Sequence, residues 1–265
     1  MSSTFRRTLR RLLTPELQTP AARQPAADAP QLSSRPALSR DEAVRRLNLI
    51  IGRDLRELAE EYGVRVWKAG RKNKGWAGHV LERHLGLRQN SRQSPDFGDW
   101  DLKLVSLRRD ASGSLRVKET MAITMLEPAE VVSNRFEDSH LHDKLRRLVV
   151  AARVFESEDD ARSLLHSVAT FDLSDAEIFR QVRADYELIR RTIRERGERG
   201  VTSDLGRLVQ ARTKGRGHGS ATRAFYARSS FVALMLNSQK LAGVARVHAD
   251  THADAADADD AEDAS

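Results

Sequence analysis

The apolar residues of this chain change their period at Asp99, and that change limits what the chain can fold into. Before it, Val44, Leu47, Ile51, Leu55 and Leu58 recur at three- and four-residue intervals, and Trp76, Val80, Leu81 and Leu85 repeat the pattern. That spacing places them on buried stripes of helices. Ser39-Arg40-Asp41-Glu42 has capping-box spacing, so the first helix is predicted to start at Ser39 and run to near Gly63. A second is predicted over 75–85, stopped by Gly86. From Asp99 the interval is two, with Trp100, Leu102 and Leu104 alternating with Asp99, Asp101 and Lys103. This is the pattern of a strand with one charged face.

The elements downstream keep the same mixture. The turn-rich DASGS at 110–114 leads toward MAITML, a strand candidate ending at Leu126, and predicts a hairpin. Helices are predicted over 139–150, from Leu141, Leu145 and Leu148, and over 174–196, from Ile178, Val182, Ile189 and Ile193. GRLVQAR predicts a strand and RSSFVALML a buried terminal element.

Both ends read differently from this core. Residues 1–38 are rich in Pro, Ala, Ser, Thr and Arg without sustained periodicity, the composition of a disordered basic arm. The stretch 248–265 reads as a disordered acidic tail, and from Ala249 to Ser265 it holds seven acids and no Lys or Arg. The formal net charge is +7, but without that tail 45 basic residues face 31 acidic ones. A body so basic attracts polyanions, because neutralising phosphates releases their counterions. Cysteine is absent, which excludes disulfides and thiolate metal sites and suits a cytoplasmic protein. No apolar run approaches the roughly 18–20 residues of a membrane span.

PDFGDWDLK, Pro95–Lys103, carries the clearest chemistry. Phosphodiester hydrolysis must activate water and offset charge on phosphate oxygens, which carboxylate-held Mg²⁺ can do. Asp101 and Lys103 share a strand face because side chains repeat every two residues. Asp96, just before the strand, can turn toward the same metal, as can Asp99, which alternates with Asp101. Lys103 would orient the water or stabilise developing charge. His140 and His142 lack a third ligand at a spacing that suits zinc.

Three blocks, KGWAGHVLERHLG (Lys74–Gly86), PDFGDWDLK and SHLHDKLRRL (Ser139–Leu148), resemble in order and separation the signature blocks of the MutH family of mismatch-repair nicking enzymes and their type II restriction-enzyme relatives. The resemblance continues more weakly around Tyr186, through QARTKG and AFYARSSFVALML, and spans roughly Ser39 to Leu236. It implies an endonuclease domain over 39–247 with a restriction-endonuclease-like α/β core, a mixed sheet flanked by helices in two lobes around a DNA cleft. Carried over by position, Asp96, Asp101 and Lys103 form the catalytic set, with Asp96 and Asp101 as metal ligands. Glu82 is a helix acid facing them, and Lys144 a second lysine near the scissile phosphate. Arg212, Lys214 and Tyr226 are implied DNA contacts.

Further implications are Mg²⁺ as cofactor, double-stranded DNA as substrate, GATC with its methylation state as the site, and a MutL-like partner. The nicking reading implies a monomer, and a restriction enzyme cutting both strands implies a dimer. A catalytically decayed DNA-binding module is a third reading, against which the retained acids and lysines argue. The chain departs from the family in having Asp101 where Glu is usual, about 1.5 Å shorter in reach. Its first acid also stands two residues nearer, and the segment between Lys214 and Phe225 is shorter.

Overall fold

A computed structural model describes residues 38–68, 70–86, 98–157, 159, 161–214 and 222–237. All of the expected N-terminal arm but Leu38, together with the acidic tail and Asp96, lies outside them. Helices α1 (Arg40–Asn48) and α2 (Leu55–Glu61), a small hairpin β1 (Trp67–Lys68) and β2 (Arg71–Lys72), and α3 (Trp76–His84) come first. They are followed by β3 (Asp101–Arg109), β4 (Leu115–Val117), β5 (Met121–Leu126), α4 (Pro128–Ser133), α5 (His140–Leu145), β6 (Arg147–Val154) and β7 (Leu165–Asp172). The long α6 (Ala176–Arg196), β8 (Val209–Thr213) and β9 (Arg223–Ala227) lead to α7, over 229–237.

The four-stranded sheet runs β4-β3-β6-β7, with β3 and β6 parallel and the other pairs antiparallel. A second sheet runs β5-β9-β8. Alternate residues of β6 feed two cores. Val149 and Ala151 join α1, α2 and α3 on one face, while Leu148, Val150 and Ala152 join β5, α5, α6, β9 and α7 on the other. The fold is therefore α/β with a mixed sheet flanked by helices, as the resemblance implies. No helix among the described residues is long and apolar enough to cross a membrane.

Two predicted helices are corrected. The first is not continuous to Gly63. Its start is as expected, with the Ser39 hydroxyl accepting from Glu42 N at 3.3 Å, but α1 ends at Asn48 and Asp54 caps a new helix. The break exists because 52–55 hydrogen-bonds to the chain entering β7. Gly52 N donates to Leu165 O at 2.8 Å and Leu55 N to Ser163 O at 2.9 Å. Gly52, at φ 86°, lets the chain turn there. Ile50 is consequently the buried residue, whereas Ile51 is 43% exposed.

The second correction is larger. The helix predicted over 139–150 stops at Leu145, and Arg147–Val154 is the central strand. Leu148 to Ala152 are five consecutive apolar residues, all at 0% exposure. A strand buried on both faces has no polar alternation to reveal it, so Leu148 also fits the helical spacing of Leu141 and Leu145. The DASGS turn forms as expected, Asp110 Oδ1 accepting from Ser112 N and Ser114 N at 3.0 Å each. However, β3 pairs there with the short β4, and the predicted MAITML strand pairs with β9 instead.

Candidate active site

Asp101 is the first residue of β3, beside Leu148 of the parallel β6. Its neighbour Trp100 is fully buried and donates its indole N–H to Leu38 O at 3.0 Å, which fixes the strand entry. The charged face expected of this strand is not solvated. The Asp101 side chain is 1% exposed, enclosed by two ammonium groups. Lys103 Nζ, one step along the same face, lies 2.6 Å from Oδ2. Lys144 Nζ, from the last turn of α5, donates to Oδ1 at 3.1 Å. Lys103 also donates to Ile123 O of β5 at 3.2 Å, which anchors it independently of the acid. Such charges are tolerated away from water only when paired and hydrogen-bonded.

Glu82 of α3 joins this group electrostatically. Burial pushes its carboxyl above the usual range, the Asp101 carboxylate raises it further, and Lys103 and Arg83 act in the opposite sense. Asp101, Lys103, Lys144 and Glu82, drawn from 63 positions of sequence, therefore form one charged centre. Asp99 is turned into an ion pair with Arg147, whose guanidinium also reaches Asp172 Oδ1 at 3.7 Å. Arg40 holds that same Asp172 oxygen at 2.7 Å.

The donor set suits a hard cation. Two carboxylates that disfavour each other's ionisation gain from a cation between them, and all-oxygen ligation is what Mg²⁺ takes. No group of three or more His, Asp or Glu side chains placed to hold a metal occurs among the described residues. His142 belongs to the core, its ring meeting Phe136 edge-on at a centroid distance of 5.3 Å.

The implied DNA contacts lie on the other sheet. The Arg212 guanidinium sits 5.7 Å from the centroid of the half-buried Tyr226 ring, and Nη1 donates to Thr120 Oγ1 at 2.8 Å. Lys214 is exposed, its backbone N–H bonded to Thr222 O at 2.8 Å. Trp76, by contrast, is core, 1% exposed with Arg56 and Arg153 over its ring.

A further pair escapes sequence reading. Asp185, buried in α6, accepts N–H bonds from Arg207 at 2.9 Å, Leu208 at 2.7 Å and Val209 at 2.8 Å. Arg228 donates to the carbonyls of Ser203, Asp204, Leu205 and Gly206. Together they hold the loop entering β8 by both its donors and its acceptors. An acid at one buried helix position leaves no signal in the pattern, since its partners are backbone groups.

The chain is thus an α/β fold, a mixed sheet flanked by helices that carries an acid and a lysine on one face of β3. The family model described as DNA mismatch repair enzyme MutH matches residues 85–178. Over that stretch the chain is similar to this family. The DNA mismatch repair protein MutH of Vibrio cholerae serotype O1 (strain O395) is 27% identical over 212 residues, covering 75% of this chain and 95% of that one. Its counterpart in Haemophilus influenzae (strain PittEE) is 27% identical over 206 residues, with 71% and 90% covered. Among solved structures, restriction endonuclease MvaI with its cognate DNA substrate covers 71% of this chain and 95% of its own, at 14% identity and a TM-score of 0.30.

Proposed function

We propose that this protein is a Mg²⁺-dependent, sequence-specific DNA endonuclease of the cytoplasm that nicks one strand in mismatch repair. The observation that carries the reading is the enclosure of Asp101 by the Lys103 and Lys144 ammonium groups with Glu82 alongside. A decayed binding module would have no reason to keep two cations on a buried acid beside a second acid.

Asp101 and Glu82, with Asp96 outside the described residues, would hold the metal, which supplies Lewis-acid polarisation of the phosphoryl oxygen. Lys103, kept in place by the Ile123 carbonyl, orients the attacking water at its Nζ. Lys144 Nζ places a positive charge where the phosphate becomes more negative. Arg212, stiffened by Tyr226 and Thr120, presents a fixed guanidinium to a phosphate or guanine edge, with Lys214 adding an exposed cation. By resemblance the recognised site is GATC, read for its methylation state, and a MutL-like protein is the recruiting partner.

The test is digestion of defined plasmids, methylated and unmethylated, with and without Mg²⁺, followed by mapping of the ends. One active site per monomer should give open-circle DNA that accumulates before linear product, and only with Mg²⁺. Immediate linearisation at limiting enzyme would replace this reading with a restriction dimer that cuts both strands.

A further inference from the structure

The C-terminal end of α6 holds a group of cations that the proposed chemistry does not use. Arg196, the last residue of α6, and Arg199, in the 3-10 turn Glu198–Gly200, line a cavity of about 440 Å³ together with Gly197, Glu198 and Arg223. Arg196 and Arg199 are exposed, and Arg223 is half-buried at the start of β9. The negative end of a helix dipole accounts for a cation in the last turn. It does not account for Arg223, which arrives from a different element. Three guanidiniums against a single carboxylate repel one another in the absence of an anion.

The position of Arg223 indicates which anion. It pairs with Thr213, so its side chain leaves the sheet on the face opposite that of Arg212 and Tyr226, toward α6. Along β9 it stands three residues from Tyr226, about 10 Å, less than the roughly 12 Å width of a DNA major groove. A duplex whose major groove takes in this end of β8 and β9 would meet Arg212 and Tyr226 on one face of the hairpin and carry a phosphate backbone past Arg223 on the other. Guanidinium forks match phosphate oxygens in pairs, and a backbone of spaced phosphates occupies several at once. We propose that Arg196, Arg199 and Arg223 form a second phosphate-binding site, which clamps the duplex backbone beside the recognised bases, apart from the Asp101 centre. This rests on the nuclease reading and assigns it a contact surface.

The test is binding of a labelled duplex in EDTA over a range of salt concentrations. It compares wild type with Arg196→Ala/Arg199→Ala, with Arg223→Gln, and with Arg180→Ala/Arg191→Ala. The last pair removes the same charge from exposed α6 positions outside this cavity. Loss of two phosphate contacts makes the slope of log affinity against log salt shallower by about 1.8. Between 50 and 200 mM salt, wild type should then lose about 12-fold more affinity than the 196/199 variant. Arg223→Gln should change the slope by about half as much, and Arg180→Ala/Arg191→Ala should leave it near that of wild type. An unchanged slope in the 196/199 variant, or an equal change in the control, overturns the proposal. Failure of wild type itself to bind duplex at low salt overturns the nuclease reading along with it.

Discussion

At Asp101 one negative and two positive charges share a volume that water barely reaches, and each depends on the others for being buried. Asp101→Asn keeps the shape and removes the charge that both ammonium groups face. Breaking a buried pair in this way costs about 3–5 kcal/mol. The metal-free variant should melt roughly 10 °C lower, and it should cut plasmid DNA at no measurable rate in Mg²⁺. A variant that melts and cuts within a factor of a few of wild type would remove Asp101 from the centre. Glu82 gives a pH signature with a definite sign. Its folded-state carboxyl is raised, so it favours the folded state when protonated and that advantage is lost as pH rises through the raised value. Glu82→Gln should therefore melt above wild type at neutral pH in EDTA. The difference should shrink as pH falls toward the ordinary glutamate range near about 4.3, and thermal melts across pH will show whether it does.

Among the elements, the junction between α6 and β8 has the most to lose. Asp185 accepts three backbone N–H bonds there, and an orphaned buried donor costs about 1–3 kcal/mol. Asp185→Ala should destabilise by at least about 3 kcal/mol, read as a lower urea midpoint with an unchanged slope. Gly206 sits within the same loop at φ 84°, and a Cβ there would stand 1.9 Å from Val209 O. Gly206→Ala is expected to shift the midpoint in the same direction. Since this loop sets where β8 begins, it also sets the register that brings Gln210 opposite Tyr226 and Arg212 three residues after Val209. The two mutations thus test whether β8 is held by α6 rather than by its own pairing alone. If both variants keep the wild-type midpoint, β8 is positioned without this loop.

For the whole molecule, charge is the property that matters most. The seven acids after His248 oppose a body that carries 45 basic side chains. A tethered polyanion competes with DNA at high local concentration. Truncation after Val247 should tighten nonspecific duplex binding at low salt, with the gain fading as salt screens the charges. Equal affinities for the two proteins at low ionic strength would show that the tail has no such role.

The sequence by itself determined the alternation that makes β3, the cap of α1, the basic balance of the chain, and the ordered blocks that resemble the MutH signature. These are local signals, carried by residues within a few positions of one another. The sequence did not determine that Arg147–Val154 is a strand, because five apolar residues in a row suit a helix core and a twice-buried strand equally. The break between α1 and α2 was also out of reach, since its cause is hydrogen bonding to Ser163 and Leu165 more than 100 residues away. Likewise the alternation placed Asp101 and Lys103 on one face, but only the packing of α5 and β5 against that face turned it from a wet surface into a buried centre. Tertiary structure alone decided that Arg147 takes up Asp99 and that Asp185 organises β8, because both depend on which backbone and side-chain groups burial leaves in need of a partner.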